Sequence, residues 1–420
     1  GVFVADVAYY YGDHVPNFAQ LKSSDPAKIL PGYDYDVVTS EVILNRLSVK
    51  AGRLVLPDGL SYRLLVLPER NVISLPVLRK VKELVAAGAT VVGPKPVREQ
   101  SLTDYPQCDA EVRKLAETLW GATPPGTGRV ISGKNARAIL QADGVAPDFE
   151  FRAENPDAFI DYIHRRDGAT EIYFVASRSN RTENVTGTFR VTGKAPELWN
   201  PVTGEHQFAA AYTEVDGRTA VPLTFAPYGS WFVVFREPAA AHPPTTPDNQ
   251  PAFRSLGELT GDWAVKFAPE WGGPATAQFD RLISWTEHPE PGIKFYSGAA
   301  TYVKSFDLPA ATPVSQTKPL YLDLGMLREL AEVRVNGRSC GIVWAPPFRV
   351  DITPAVKPGK NELEIRVINF WPNRIIGDAS LPADQRRTRT NIRKFTPDTP
   401  LSASGLFGPV QLLVQSGLGQ

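Results

Sequence analysis

Two cysteines, Cys108 and Cys340, are all that 420 residues contain. A pair so few and so far apart excludes a disulfide-built scaffold and has no metal-ligand spacing, so both read as ordinary thiols. No stretch approaches the roughly 18 consecutive apolar residues that a bilayer-spanning helix needs, which leaves no membrane span to assign. Charge of one sign is not in excess either: Lys plus Arg and Asp plus Glu number 45 each. Without a net field there is no electrostatic case for nucleic acid or an acidic membrane surface, and neutral partners such as glycans fit better. Nucleotide and hydrolase signatures are missing as well. No GxGxxG or GxxxxGK[ST] run gathers amides around a phosphate, and no GxSxG elbow presents a serine. The opening GVFVADVAYYYG has neither a basic n-region nor a cleavage site. Its start on Gly rather than Met suggests processing or excision from a longer protein, so the chain reads as soluble, with secretion or a periplasmic location left open.

What is present is turn chemistry and strand patterning. Thirty-eight prolines and 33 glycines favour turn-rich β structure over disorder at 43% hydrophobic content. The clearest stretch is 320–378. Val333 and Val335 alternate with Glu332 and Arg334, and Leu363, Ile365 and Val367 alternate with Glu364 and Arg366, the period of strands with one buried face. Asn336-Gly337 follows the first run and supplies the positive φ of a tight hairpin; Pro358-Gly359 turns the chain before the second. These features predict a β-sandwich.

The first 125 residues read differently. Phe3 to Tyr11 and Tyr62 to Leu67 have strand character, and Tyr35 to Leu47 has helical spacing through Val38, Val42, Leu44 and Leu47. Leu75, Leu78, Val81, Leu84 and Val85 make one stripe of a helix that ends at Gly88, before the strand Ala89 to Val92. A last helix is expected over Ala110 to Leu119. Alternating strands and helices predict a parallel sheet covered on both faces.

From about Gly128 the period changes to two. Ile160, Tyr162 and His164, then Ile172, Phe174 and Ala176, then Val221, Leu223 and Phe225 alternate, and Ser230 to Arg236 closes a small antiparallel β unit. The run EPAAAHPPTTPDNQ after it reads as a stiffened linker. The expected division is therefore 1–125 α/β, 126–238 antiparallel β, 239–254 Pro-rich linker and 255–418 sandwich. Asn180-Arg181-Thr182 and Asn184-Val185-Thr186 fit the glycosylation sequon, a short match that arises easily by chance.

Several longer strings carry a resemblance. VADVAYYYG from Val4, GYDYDVV from Gly32, GRLVLPDGLSYRLLVLP from Gly52, LPVLRKVKELVAAGATVVGPKP from Leu75, PELWNPVTG from Pro196 and the 320–378 run together resemble the non-barrel, C-terminal part of the family 106 α-L-rhamnosidase group. The resemblance covers almost the whole chain. It implies a flavodoxin-like or amidotransferase-like domain, a small antiparallel β domain and a galactose-binding-like jelly roll. It further implies catalytic acids and calcium ligands on an upstream barrel, so no catalytic residue is carried over to this chain. No cofactor is evident, and calcium is compatible with the family resembled.

Candidate binding residues follow from what sugars offer: apolar C–H faces for Trp, and hydroxyl groups for Asn, Asp and Arg. Asn369, Trp371, Asn373, Arg374 and Asp378, with Trp344 before Pro346-Pro347, form the densest such set and are expected on a loop after a strand. The alternative is that Trp371 plugs the sandwich while Arg374 and Asp378 pair to fix that loop. Weaker candidates are Trp285, Glu287 and His288; Trp199 over its turn and the pair Asp13 and His14 are weaker still. The expected function is that of an accessory part of a glycoside hydrolase, partnered by a plant or bacterial glycan and by an upstream catalytic barrel. A stand-alone carbohydrate-binding protein and a purely structural module are the other two readings.

Overall fold

A computed structural model describes residues 1–121, 128–246, 248–312, 315, 318–391 and 394–416. The expected boundary at 125/126 and the expected end at 418 lie outside the described residues. The described chain is multidomain and mostly β-sheet. It divides into two compact units, one built from 1–179, 183–225 and 230–245, the other from 180–182, 226–229 and 246–420.

The first unit begins with a five-stranded, wholly parallel sheet in the order Arg129–Ile131, Thr90–Val92, Leu64–Val66, Val7–Tyr10, Tyr35–Val38. Its near-continuous apolar runs have a physical cause, since both faces are covered. Ala8, Tyr10, Leu65 and Val91 pack beneath the helices Leu75–Ala86 and Gln107–Leu119. Val7, Tyr9, Leu64 and Val66 pack on the other face with Ile139 and Leu140 of the helix Ala136–Ala142. The helix Leu75–Ala86 is capped by the Ser74 hydroxyl, which accepts from the Val77 amide. It buries the expected stripe, each fully buried aliphatic contributing about 1.5–3 kcal/mol.

One expectation fails here. Tyr35 to Leu47 is not one helix: Tyr35–Val38 is a strand parallel to Val7–Tyr10, and only Ser40–Asn45 is helical. Thr39 marks the change, its hydroxyl accepting from the Val42 amide as an N-cap. The sheet edge won over the helical spacing. The last long helix also starts earlier than expected, at Gln107.

Apart from a short parallel pair, Val72–Ile73 with Arg98–Glu99, the other described strands of this unit are antiparallel. Six strands run in the order Val2–Phe3, Ile160–Asp167, Thr170–Ser177, Ser230–Pro238, Lys194–Trp199, His206–Phe208, and four more in the order Phe149–Ala153, Glu183–Phe189, Arg218–Phe225, Thr213–Val215. The two sheets share a core of Phe149, Tyr162, Tyr173, Phe189 and Phe235. Residues 239–245 are bonded within the unit: the Ala239 amide donates to the Gly193 carbonyl, and the Thr245 amide to that of Ala210.

The second unit is built mainly on two antiparallel sheets, beside a short antiparallel pair, Met326–Arg328 with Gly405–Gly408. Four strands run Ala252–Glu258, Gln411–Ser416, Leu320–Asp323, Arg349–Asp351; six run Thr276–Phe279, Trp263–Lys266, Ala299–Leu308, Gly359–Ile368, Leu330–Val335, Arg338–Val343. Inward residues of both, among them Trp263, Tyr302, Val333, Ile365, Leu322 and Leu412, form one apolar core. Asn336 and Gly337 have φ of 51° and 76°, the double left-handed turn that joins Leu330–Val335 to Arg338–Val343.

Candidate functional site

The pairing register gathers the strongest candidates at one end of the six-stranded sheet. Ile368, the last residue of its strand, lies opposite Leu330 on one side and Ala299 on the other, and Ala331 lies opposite Val343. The chain therefore leaves towards Asn369–Trp371 and towards Trp344 at the same sheet end. One strand separates the two exits, a spacing of roughly 10 Å at 4.7–4.9 Å per strand. Lys266 pairs with Thr301 near the start of Ala299–Leu308, so the turn Pro269–Trp271 emerges at this end too.

Exposure divides these residues into two groups. Trp344 is 58% exposed, Phe370 64% and Trp371 52%. Trp371 meets the half-buried Trp271 edge-on, ring centres 5.1 Å apart. The polar candidates lie underneath, buried. Asn369 accepts from the Gly298 amide at 2.9 Å and donates to the Tyr296 carbonyl and the Ser404 hydroxyl. Asn373 donates to the Ser402 carbonyl at 2.7 Å and to the Ser404 hydroxyl, and accepts from the Ser402 amide. Between them these two amides hold the segment 402–404 against the sheet end.

Residues 372–379, expected on a loop, form the helix Pro372–Ala379. Pro372 in its first turn is preset for helical φ and lacks only an amide that would have no partner there. The helix puts Arg374 and Asp378 one turn apart, Nε to Oδ1 3.0 Å, as an ion pair that lacks hydrogen-bond alignment. The other oxygen of Asp378 accepts from the Arg387 amide at 2.9 Å and from the Thr388 amide and hydroxyl, both at 2.7 Å. Arg374 and Asp378 thus anchor the helix and the segment 387–388, and the helix in turn carries Trp371 at its leading end.

The weaker candidates do not converge. Trp285 is fully buried, its indole N–H donating to the Tyr302 hydroxyl, which burial pushes up to about 12. Glu287 faces solvent, and the His288 ring accepts from the Glu290 amide. The Trp199 indole donates to Glu197 and its ring lies against His206. Asp13 accepts from the Tyr10 hydroxyl rather than from His14. Cys108 is buried and Cys340 half-buried, both as free thiols. Among the described residues, no three His, Cys, Asp or Glu side chains gather as a metal ion would need. No helix among them is long and apolar enough to cross a membrane.

Sequence reasoning missed Trp271 and Phe370. Trp271 had a signal, the run Pro269-Glu270-Trp271-Gly272-Gly273, in which Gly272 takes a left-handed φ of 89° and closes the turn that presents the ring. Also missed was a buried charge network in the first unit. His164 stands between Asp148 at 3.0 Å and Glu171 at 2.9 Å, and Tyr173 donates to Asp148. Arg190 reaches both Asp148 and Asp6.

A family model described as α-L-rhamnosidase of glycoside hydrolase family 106 matches residues 1–214. The solved rhamnosidase from Novosphingobium sp. PP1Y is 37% identical in an alignment that covers 98% of this chain and 39% of that one, with a TM-score of 0.85. A protein of Formosa agariphila named "Putative beta-glucuronidase" is 25% identical over 99% of this chain and 55% of its own length. The chain thus spans about half, or less, of the length of these relatives.

Proposed function

The chain belongs to the α-L-rhamnosidase family, glycoside hydrolase family 106, and from that premise we propose that it is an accessory part of a glycan-cleaving enzyme, holding carbohydrate beside a catalytic barrel carried elsewhere in the parent protein. The observation behind this reading is the set of exposed aromatic rings Trp371, Phe370 and Trp344 at one sheet end, with the hydrogen-bonded side chains of Asn369 and Asn373 buried beside Phe370 and Trp371. Stacking on a sugar ring needs a flat apolar face held rigidly and open to solvent. In this reading Trp371 and Trp344 touch the sugar, while Asn369, Asn373, Arg374 and Asp378 act as positioning residues.

The same proposal takes the 1–125 segment as a flavodoxin-like or amidotransferase-like unit, 126–238 as a separate β domain, 239–254 as the linker and 255–418 as a galactose-binding-like jelly roll. A glycan containing terminal α-L-rhamnose is the ligand class that follows from the family. Titration calorimetry with such oligosaccharides, run alongside an aryl-rhamnoside turnover assay, tests it. Saturable binding without turnover supports the accessory reading, and hydrolysis at enzyme-like rates by the 420 residues alone would overturn it. Neither binding nor turnover would leave a structural module.

A further inference from the structure

The strand Val2–Phe3 lies against Ile160–Asp167 with Val2 opposite Arg166, and next to it the hairpin of Arg53–Val55 and Ser61–Tyr62 folds over. These elements enclose a cavity of about 190 Å³, several times the volume of a water molecule. Four basic residues line it, Arg53, Arg63, Arg166 and Arg190, against a single acidic one, Asp6. Phe3 and Val4 supply part of its apolar wall.

Three of these four cations have carboxylate partners. Arg190 holds Asp6 at 3.0 Å and Asp148 at 3.2 Å, and Arg63 reaches Asp6 at 3.1 Å. Arg166 pairs with Glu171 at 2.7 Å. Asp6 is almost wholly buried under its two arginines, so it has little capacity left for a third. Arg53 differs: its donors go to the carbonyl and hydroxyl of Ser61, both neutral. Burial, and then the charge of Arg63, push its pKa below the ordinary arginine value. An arginine keeps its proton at working pH, so a further negative partner, beside the charge of Asp6 that already acts on it, would offset the burial and the repulsion by Arg63. The room for one is the cavity itself, and guanidinium matches the planar fork of a carboxylate or the oxygen edge of a sulfate.

We propose that this cavity binds a small oxyanion, a carboxylate or sulfate group, held by Arg53 with Arg63 and Arg166 beside it. The group comes either from an acidic saccharide or from a free inorganic ion. Both present the same oxygens to the arginines.

Titration calorimetry on the intact chain at constant ionic strength, with sodium sulfate, sodium glucuronate and neutral glucose as probes, tests the site. Saturable binding of sulfate or glucuronate and none of glucose is expected. Glucuronate bound at least about tenfold tighter than sulfate assigns a sugar acid, and the reverse order assigns a free ion. Arg53→Gln should weaken binding at least about tenfold while leaving the anion-free unfolding midpoint near that of the wild type. Val2→Asp, which sets a carboxylate into the cavity wall, should abolish binding by taking the place of the anion. No saturable binding of either anion at millimolar concentration overturns the proposal, as does undiminished binding by folded Arg53→Gln. Should Arg53→Gln fail to fold, Val2→Asp decides by the same criterion.

Discussion

His164 shows how much one buried side chain sets at the residue scale. Burial alone pulls its imidazole pKa down, but bonds to Asp148 and Glu171 outweigh that and hold it above the ordinary 6.5. For Asp148, burial pushes the carboxyl up, and the bond to His164 with the charges of His164 and Arg190 bring it below its ordinary 3.8. Glu171 is likewise lowered from 4.5, by His164 and Arg166 against burial. A raised histidine stabilises fully below its unfolded pKa and stops doing so as pH rises through its folded one. Lowered carboxylates stabilise above their unfolded pKa values and fail as pH falls through their folded ones. The first unit should therefore be most stable between about pH 4.5 and 6.5. Urea unfolding across pH should show a decline on the alkaline side that His164→Gln removes; an unchanged alkaline limb in that variant would refute the assignment. Trp371 gives a second residue-scale prediction. It is 52% exposed and loses chiefly one edge-on contact with Trp271 on truncation. Trp371→Ala should cost about 1 kcal/mol, not the 3–5 kcal/mol of a buried aromatic, and should abolish glycan binding. Lost stability with intact binding would remove Trp371 from the site.

Among elements, the helix Pro372–Ala379 is fastened by charge as much as by apolar burial. Asp378 neutralises Arg374, which is itself only 7% exposed at its side chain, and accepts from two amides of 387–388. Removing the carboxylate leaves a buried cation alone and two amides unpaired, so Asp378→Ala should destabilise the second unit by about 3–5 kcal/mol. Asp378→Asn keeps an acceptor and should lose less, a difference that urea midpoints resolve. The element also shows what a sequence conceals. Its residues were legible as a polar, aromatic set, but eight residues are too short for a periodic signal, and Asn373, Arg374 and Asp378 look like loop chemistry until the bonds that bury them are known. The long helix Leu75–Ala86 was legible because its apolar stripe spans three turns. Tyr35 to Leu47 misled because four residues of strand at a sheet edge shared apolar spacing with the short helix behind them. The hairpin at Asn336-Gly337 was readable from two residues, since few other pairs tolerate φ of 51° and 76° together.

For the molecule as a whole, the change of period from helix to strand was visible because it depends on local spacing. The place of Trp271 in the candidate site was not, since Trp271 and Trp371 lie 100 residues apart and meet only because strand register brings both to one sheet end. The buried His164 network was hidden for a related reason: an inward position in an alternating strand looks the same whether a hydrophobic partner or a carboxylate faces it. Register also decides where the chain can be cut. Residues 239–245 have amides bonded back to Gly193 and Ala210, and from Ala252 the backbone enters a strand paired with Gln411–Ser416. A protease needs several residues of backbone free to extend into its cleft, and paired backbone resists that. Limited proteolysis should therefore spare residues 239–245 and the paired strands, so that the first cut in the Pro-rich stretch falls outside 239–245 and gives two fragments that each unfold cooperatively. Mass spectrometry of the early products checks this. First cuts within 239–245, or within either pair of sheets, would show that the boundary between independently folding parts lies elsewhere.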